Sequence, residues 1–376
     1  MSHVLMVTGL VAGGVGRHVA QLTRGLVGRG HTVTVACPAV VATGFALDDA
    51  GAAVVEVEVG PRPAPHRDHR AVTRIGEAMA TADVVHAHGL RAGALSLAAR
   101  RRRSRATGLS VPPLVVTHHN AAPDGPVAAA VHRALERVVV RGADVLLAVS
   151  PDLLERARRL GAGQAALAVV PATPRAPQRT VGEVRAGLGL DEGERLLVTV
   201  GRLAPQKGFD HLLDALGTLR GDQPRAVLVV AGEGPQRAAL QRRIDREALP
   251  VHLLGAREDV PDLLSAADVV VSAARWEGQP VWLQEALAAG APVVATDVGG
   301  TATVLGDAGL LVSETEPLVV AQALAEQVGL VLADPGLRAA LAESSVARAA
   351  ELPTVEEAVD AALAAYARAV HPQRPV

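Results

Sequence analysis

Apolar, valine-rich runs recur along the chain with longer amphipathic stretches between them. In the first half they begin at His3 (HVLMVT), His31 (HTVTVA), Ala52 (AAVVEVEV), Ala82 (ADVVHAH), Pro113 (PLVVTHH) and Ala143 (ADVLLAVS). Runs this continuous read as strands buried on both faces, and such strands separated by helices form parallel sheets. The stretch from Val15 to Gly28 is the helical counterpart: Val19, Leu22, Leu26 and Val27 share one face and a glycine ends it. A second set of runs begins at Arg195 (RLLVTV), Arg225 (RAVLVVAG), Val251 (VHLLG), Ala267 (ADVVVSA), Pro292 (PVVAT) and Gly309 (GLLV), with helical segments from Pro235 and Pro280. Between the two sets, PATPRAPQRT from Pro171 is proline-rich and has no period, which is a linker pattern.

The alternation predicts two doubly wound α/β domains, residues 1–175 and 195–352, joined by a linker over 176–194. A final segment, 353–376, contains TVEEAVDAALAAYARAV from Thr354, whose Thr cap and two glutamates predict a helix placed to cross back to the first domain. Two such domains leave a cleft between the carboxyl ends of their strands, where ligand chemistry is expected.

Composition narrows the classes. With 37 basic and 39 acidic residues the formal charge is -2, which makes no electrostatic case for a nucleic-acid surface. Two Trp, one Tyr and two Phe in 376 residues leave little aromatic surface for stacking bases, so the cores must be Ala, Val and Leu. The single cysteine, Cys37, excludes an internal disulfide and reads as a buried strand-end thiol. No basic leader and no uninterrupted apolar run of ~18 residues is present, so a cytoplasmic protein is expected.

Three constellations carry candidate chemistry. In GLVAGGVGRHVAQL, Gly13, Gly14 and Gly16 open the first helix, either as a tight turn or as a close approach to an anion at a helix N-terminus. The spacing is not the dinucleotide fingerprint and no acidic residue ends the second strand, so a nicotinamide or flavin cofactor is not expected. In VGRLAPQKGFDHLLDAL, Arg202 and Lys207 share a strand-to-helix loop, where they can converge on a diphosphate or lie solvated. In ARWEGQPVWLQEALAAGAPVVATDVGG, Glu277 precedes a helix that carries Glu285, and Gly299 with Gly300 follow the next strand. Paired carboxylates suit the vicinal diols of a ribose and a hexose, and the double glycine can meet phosphate through its backbone. There is no DxD motif or histidine-rich ligand run, so no metal is expected. Arg100 to Arg103 with Arg105 form one dense basic run, read as a solvated helix end or as a contact with anionic lipid headgroups at the inner face of a membrane.

These motifs resemble those of the family 4 glycosyltransferases, retaining sugar-nucleotide enzymes of the GT-B fold. The resemblance rests on GRLxxxKG at Gly201–Gly208, AGEGP at Ala231–Pro235, and E-x7-E from Glu277 to Glu285 with its PVVATDVGG continuation. It also takes in GGVGRHV from Gly13, DVVHAHG from Asp83 and VVTHHN from Val115, so it extends over nearly the whole chain in order. It implies that a nucleotide diphosphate sugar is the donor substrate and that no cofactor or metal is resident. Arg202 and Lys207 would then hold the diphosphate, Glu285 the ribose and Glu277 the donor sugar. Gly14 would lie against the diphosphate or sugar, His119 would contact the transferring sugar, and His88 would line the acceptor side. The backbone from Leu254 to Arg257 would read the base. The chain departs from the family pattern at Ala172 and Thr173, at Gln279 and at Thr303, where an Asn-Gly turn, an aromatic and a glutamate are usual. An epimerase of the same fold and a non-catalytic nucleotide-sugar-binding protein are the competing readings.

Overall fold

The computed structural model describes residues 1–371 apart from 12, 61, 109, 122–124, 220–224 and 314–315. Its contacts divide the chain into one unit of Met1–Pro171 with Pro353–Val376, and a second of Ala172–Leu352.

In the first unit seven strands form one sheet: β1 (His3–Thr8), β2 (Thr32–Cys37), β3 (Ala53–Glu56), β4 (Val84–His88), β5 (Leu114–His118), β6 (Val145–Ala148) and β7 (Ala165–Leu167). Their order is 3-2-1-4-5-6-7 and every pairing is parallel. The sheet winds outward in both directions from β1 and β4, so its topological switch point lies where Thr8 pairs with His88. The central strands are buried, apart from His3 at the start of β1, because helices cover both faces, which is why they read as continuous apolar runs. Val19, Leu22 and Leu26 of the Gly14–Gly28 helix are buried as the periodicity predicts. Helix Val355–Val370 packs on that same helix and on β4, β5 and β6. Its first turn is closed by a capping box between Thr354 and Glu357. The last five residues of the predicted segment lie outside the described residues.

The second unit holds β8 (Arg195–Val200), β9 (Ala226–Ala231), β10 (Val251–Gly255), β11 (Val269–Ser272), β12 (Val293–Asp297) and β13 (Gly309–Ser313), in the order 10-9-8-11-12-13 and all parallel. Its switch point lies between β8 and β11. Within 176–194, the stretch read as linker, a helix forms at Val181–Gly187 because Thr180 and Glu183 make a second capping box; Val184 then buries against this unit's core. Proline content stops the chain only as far as the cap.

The rings go into packing. Phe209 and Trp282 are buried in the two apolar layers of the second unit and Tyr366 is buried in the first. Cys37 is buried and burial pushes its thiol up to about 11, so it is inert at neutral pH. Among the described residues no single helix is long and apolar enough to cross a membrane. Of the basic run, Arg100 pairs with Asp144 at 2.8 Å, Arg102 donates to Thr73 at 2.6 Å and Arg103 reaches the Gly76 carbonyl at 3.5 Å. Those three arginines fasten the end of helix Leu90–Thr107 to its neighbours.

Candidate active site

In the second unit four motif loops interlock at the carboxyl ends of β8, β9, β11 and β12, through backbone approaches that only glycine permits. A Cβ on Gly232 would lie 1.8 Å from the Gly201 carbonyl oxygen, and one on Gly234 would lie 2.4 Å from that of Leu203. This closeness lets Leu203 N–H donate to the Glu233 carbonyl at 2.9 Å and Gln236 N–H to the Leu203 carbonyl at 3.0 Å. Gly208 has φ 61° and its Cβ would lie 1.8 Å from the Ala273 carbonyl oxygen; Gly299 has φ 56° and meets the Glu277 carbonyl oxygen at 1.7 Å.

That scaffold presents the charged groups. Lys207 forms an ion pair with Glu277, which is itself buried. Gln206 donates to the Trp276 carbonyl at 2.9 Å and Arg275 N–H to the Gln206 carbonyl at 2.8 Å, so the loop after β8 is tied twice to the loop after β11 just before that pair. Arg202 is exposed; its carbonyl accepts from Ala204 N–H at 2.7 Å, while its side chain makes no hydrogen bond or ion pair among the described residues. Glu285 is half-buried on helix Val281–Ala288. The double glycine serves Glu277 directly: Gly300 N–H donates to the Glu277 carbonyl at 3.1 Å, so that donor is occupied by the protein. Gly255, in the segment expected to read a base, accepts from Gly232 N–H at 2.8 Å. Thr303 is exposed and its carbonyl accepts from Arg348 at 2.8 Å, which holds its short helix where the usual glutamate is missing. Ala172 N–H donates to the buried Gln284 side chain at 2.9 Å, fixing the chain where the Asn-Gly turn is absent.

In the first unit the switch point carries a cluster of histidines. His88, at the end of β4, and His119, just beyond β5, are hydrogen-bonded between Nδ1 and Nε2 at 3.2 Å, with rings stacked 5.5 Å apart. His18, from the helix that follows β1, meets both edge-on, at 5.8 and 6.2 Å. His86 lies 4.2 Å from His88 and is held by Thr117 Oγ1 at 2.7 Å and by the Tyr366 hydroxyl at 2.8 Å. Burial drives these rings toward the neutral form, His18 down to about 4 and His86 to about 3, with His88 and His119 well below the usual range. A neutral imidazole pair has one N–H and one lone pair to share, so His88 and His119 fix each other's tautomer. Thr8 Oγ1, His18 Nδ1 and His88 Nε2 are buried without a partner, which is unusual for polar atoms and is typical of a ligand site.

At the mouth of the first helix Gly13 has φ 59° with open space at its Cβ position, and Gly14 begins the helix, half-exposed. Gly16 has a different reason: a Cβ there would lie 2.1 Å from the Phe45 ring, so it is a packing glycine.

Residues 181–348 match the family model for glycosyl transferases group 1, and residues 13–173 match the glycosyl transferase 4-like domain. The glycogen synthase of Mycobacterium tuberculosis is 30% identical over 362 residues, covering 87% of this chain and 84% of that protein. The chain belongs to the 4-like and group 1 glycosyltransferases. The lipopolysaccharide core biosynthesis mannosyltransferase LpsB of Rhizobium meliloti is 31% identical over 195 residues, 49% of this chain and 54% of that protein; the chain spans about half the length of such curated relatives. Among solved structures, Anabaena HepE, crystallised with UDP-glucose, superposes with a TM-score of 0.79 at 21% identity, covering 97% of this chain and 100% of that one. The fold is GT-B.

For this glycosyltransferase family member, Arg202, Lys207 and Glu277 stand on loops at the carboxyl ends of the central strands β8 and β11 of the second sheet, while His88 and His119 stand together in the first unit. Sequence reasoning missed His18, His86 and Tyr366. His86 is legible in DVVHAHG, since residues two apart on a strand share a face, and His18 sits one turn into the helix opened by Gly14. Tyr366 carries no local signal.

Proposed function

We propose that this protein transfers a hexose from a nucleotide diphosphate sugar to an acceptor hydroxyl with retention of anomeric configuration. The observation that carries this reading is the interlocked loop set of the second unit, which sets an unpaired Arg202 and a Lys207–Glu277 pair at the sheet's switch point. Arg202 and Lys207 neutralise the diphosphate as its bridging oxygen takes up charge, a preorganised stabilisation of the leaving group. Glu277 then accepts from hydroxyls of the donor sugar and Glu285 from the ribose. Departure of the diphosphate leaves an oxocarbenium-like sugar, which the acceptor hydroxyl attacks from the face the leaving group vacated, its proton passing to an oxygen of the departing diphosphate. No enzyme carboxylate is required as a nucleophile, in contrast with retaining hydrolases. His119, whose Nε2 is tied to His88, offers its remaining ring nitrogen to the transferring sugar; His88 lines the acceptor side, and Gly14 keeps the helix mouth open for the donor.

UDP-glucose, the ligand bound by HepE, is the first donor to test. Thermal shift across UDP, GDP and ADP sugars identifies the donor, since a ligand that binds the folded form raises stability with the logarithm of its concentration over Kd. The anomeric configuration of the product, read by NMR, then decides retention. Arg202→Ala and Glu285→Ala should each abolish donor turnover with folding intact; turnover unchanged in both overturns the assignment.

A further inference from the structure

We infer that His118, His132 and Glu136 form a binding site for a divalent transition metal of the zinc class, separate from the donor chemistry. Along β5 side chains alternate. Thr117 bonds His86 and His119 bonds His88, so His118, between them, points to the opposite side, toward helix Pro126–Gly142. His132 and Glu136 stand one turn apart on that helix and face it. One ligand atom from each of the three lies within 4.8 Å of the others. Donor atoms around a tetrahedral zinc sit roughly 3.3 Å apart, given bonds of about 2.0–2.1 Å, so side-chain movement alone closes the site.

Two further observations point to a ligand there. His118 is 1% exposed, yet its Nε2 has no hydrogen-bond partner, and a buried ring nitrogen left in that state calls for an occupant. Glu136 is also 1% exposed and is oriented by a two-pronged contact from Arg156, at 2.6 and 2.7 Å. A carboxylate has about four acceptor positions, so each oxygen keeps a lone pair for a metal while Arg156 holds the group in place. Arg156 is 40% exposed and can relax toward solvent as the cation enters past the half-buried His132. Two imidazoles and one carboxylate with a fourth position open suit zinc and its neighbours rather than magnesium or calcium, which prefer all-oxygen shells. Bound metal would clamp the end of β5 to the helix, next to His119.

The test uses the full chain, stripped with chelator and titrated with Zn2+ by calorimetry and with Co2+ by visible absorption. One equivalent should bind to the wild type, with the d–d bands of a tetrahedral N/O site. His132→Gln, a change at a half-buried position, should weaken binding at least tenfold while circular dichroism stays unchanged. His118→Gln should do the same; if it fails to fold, His132→Gln alone decides. No binding by the wild type, or the same stoichiometry and affinity in His132→Gln, overturns the inference.

Discussion

The hydroxyl of Tyr366 hydrogen-bonds Nδ1 of His86 at 2.8 Å, both groups fully inside the first unit. This contact joins residues 280 positions apart and ties the C-terminal helix to β4, one of the two strands at the switch point. Burial holds the phenol protonated, so the bond persists across the working pH range.

Tyr366→Phe keeps the ring and removes the bond, leaving His86 Nδ1 buried without a partner. The expected loss is about 1–3 kcal/mol, the cost of an unsatisfied buried polar atom. Urea denaturation of the variant against wild type measures it, and an unchanged midpoint would show that the bond contributes nothing.

Two glycine substitutions should separate strain from clash. Gly13→Ala places a Cβ in open space at φ 59° and ψ -128°, a backbone conformation that residues with a Cβ rarely adopt, so it costs about 1–3 kcal/mol of backbone strain. Gly299→Ala adds a Cβ 1.7 Å from the Glu277 carbonyl oxygen at a similar φ, so the loop must move. Thermal denaturation should show the larger loss for Gly299→Ala, together with weakened donor binding, because Glu277 moves with the loop.

Acid should loosen the first unit as pH falls below about 6.5. His18 and His86 have folded-state values near 4 and 3, below the unfolded value of 6.5. Between those limits the unfolded chain binds more protons, so stability is full above about pH 6.5 and falls as pH drops toward 4. The groups facing this pair, His88, His119 and Tyr366, are neutral and do not offset it. Denaturation midpoints at pH 7, 6 and 5 should decline monotonically; a flat profile would contradict the buried neutral cluster.

The Lys207–Glu277 pair should behave as a unit. Glu277 is 6% exposed, so Lys207→Ala leaves a buried carboxylate without its cation and should cost about 3 kcal/mol, near the lower end for a broken buried pair. Replacing both, as Lys207→Met with Glu277→Gln, should recover most of that stability while donor binding stays lost. A double-mutant cycle read by chemical denaturation tests the coupling.

Much of this was legible in the chain. Every apolar run from HVLMVT to GLLV overlaps an observed strand, most plainly in the central ones, because strands buried on both faces need uninterrupted Val and Leu. β7 escaped notice because its three residues, Ala165–Leu167, are a short edge strand with no β-branched side chain. The helix within 176–194 escaped for the opposite reason, as a four-residue capping box outweighs nearby prolines. Loop motifs singled out Arg202, Lys207 and Glu277 as candidates, and the family resemblance supplied their expected roles. The purpose of the glycines was not legible: Gly300 turned toward Glu277 rather than outward, and Gly16 toward Phe45.

Periodicity and local motif chemistry by themselves determined the two α/β units, their strand order of appearance and the charged loop residues, because burial on both faces and tight turns impose rules within a few residues. Only the tertiary structure decided the histidine cluster around His88 and His119, the anchoring of Tyr366 on His86, and the grouping of His118 with His132 and Glu136. Those contacts join residues far apart in the chain, and no local rule encodes which side chains the sheet brings to one edge.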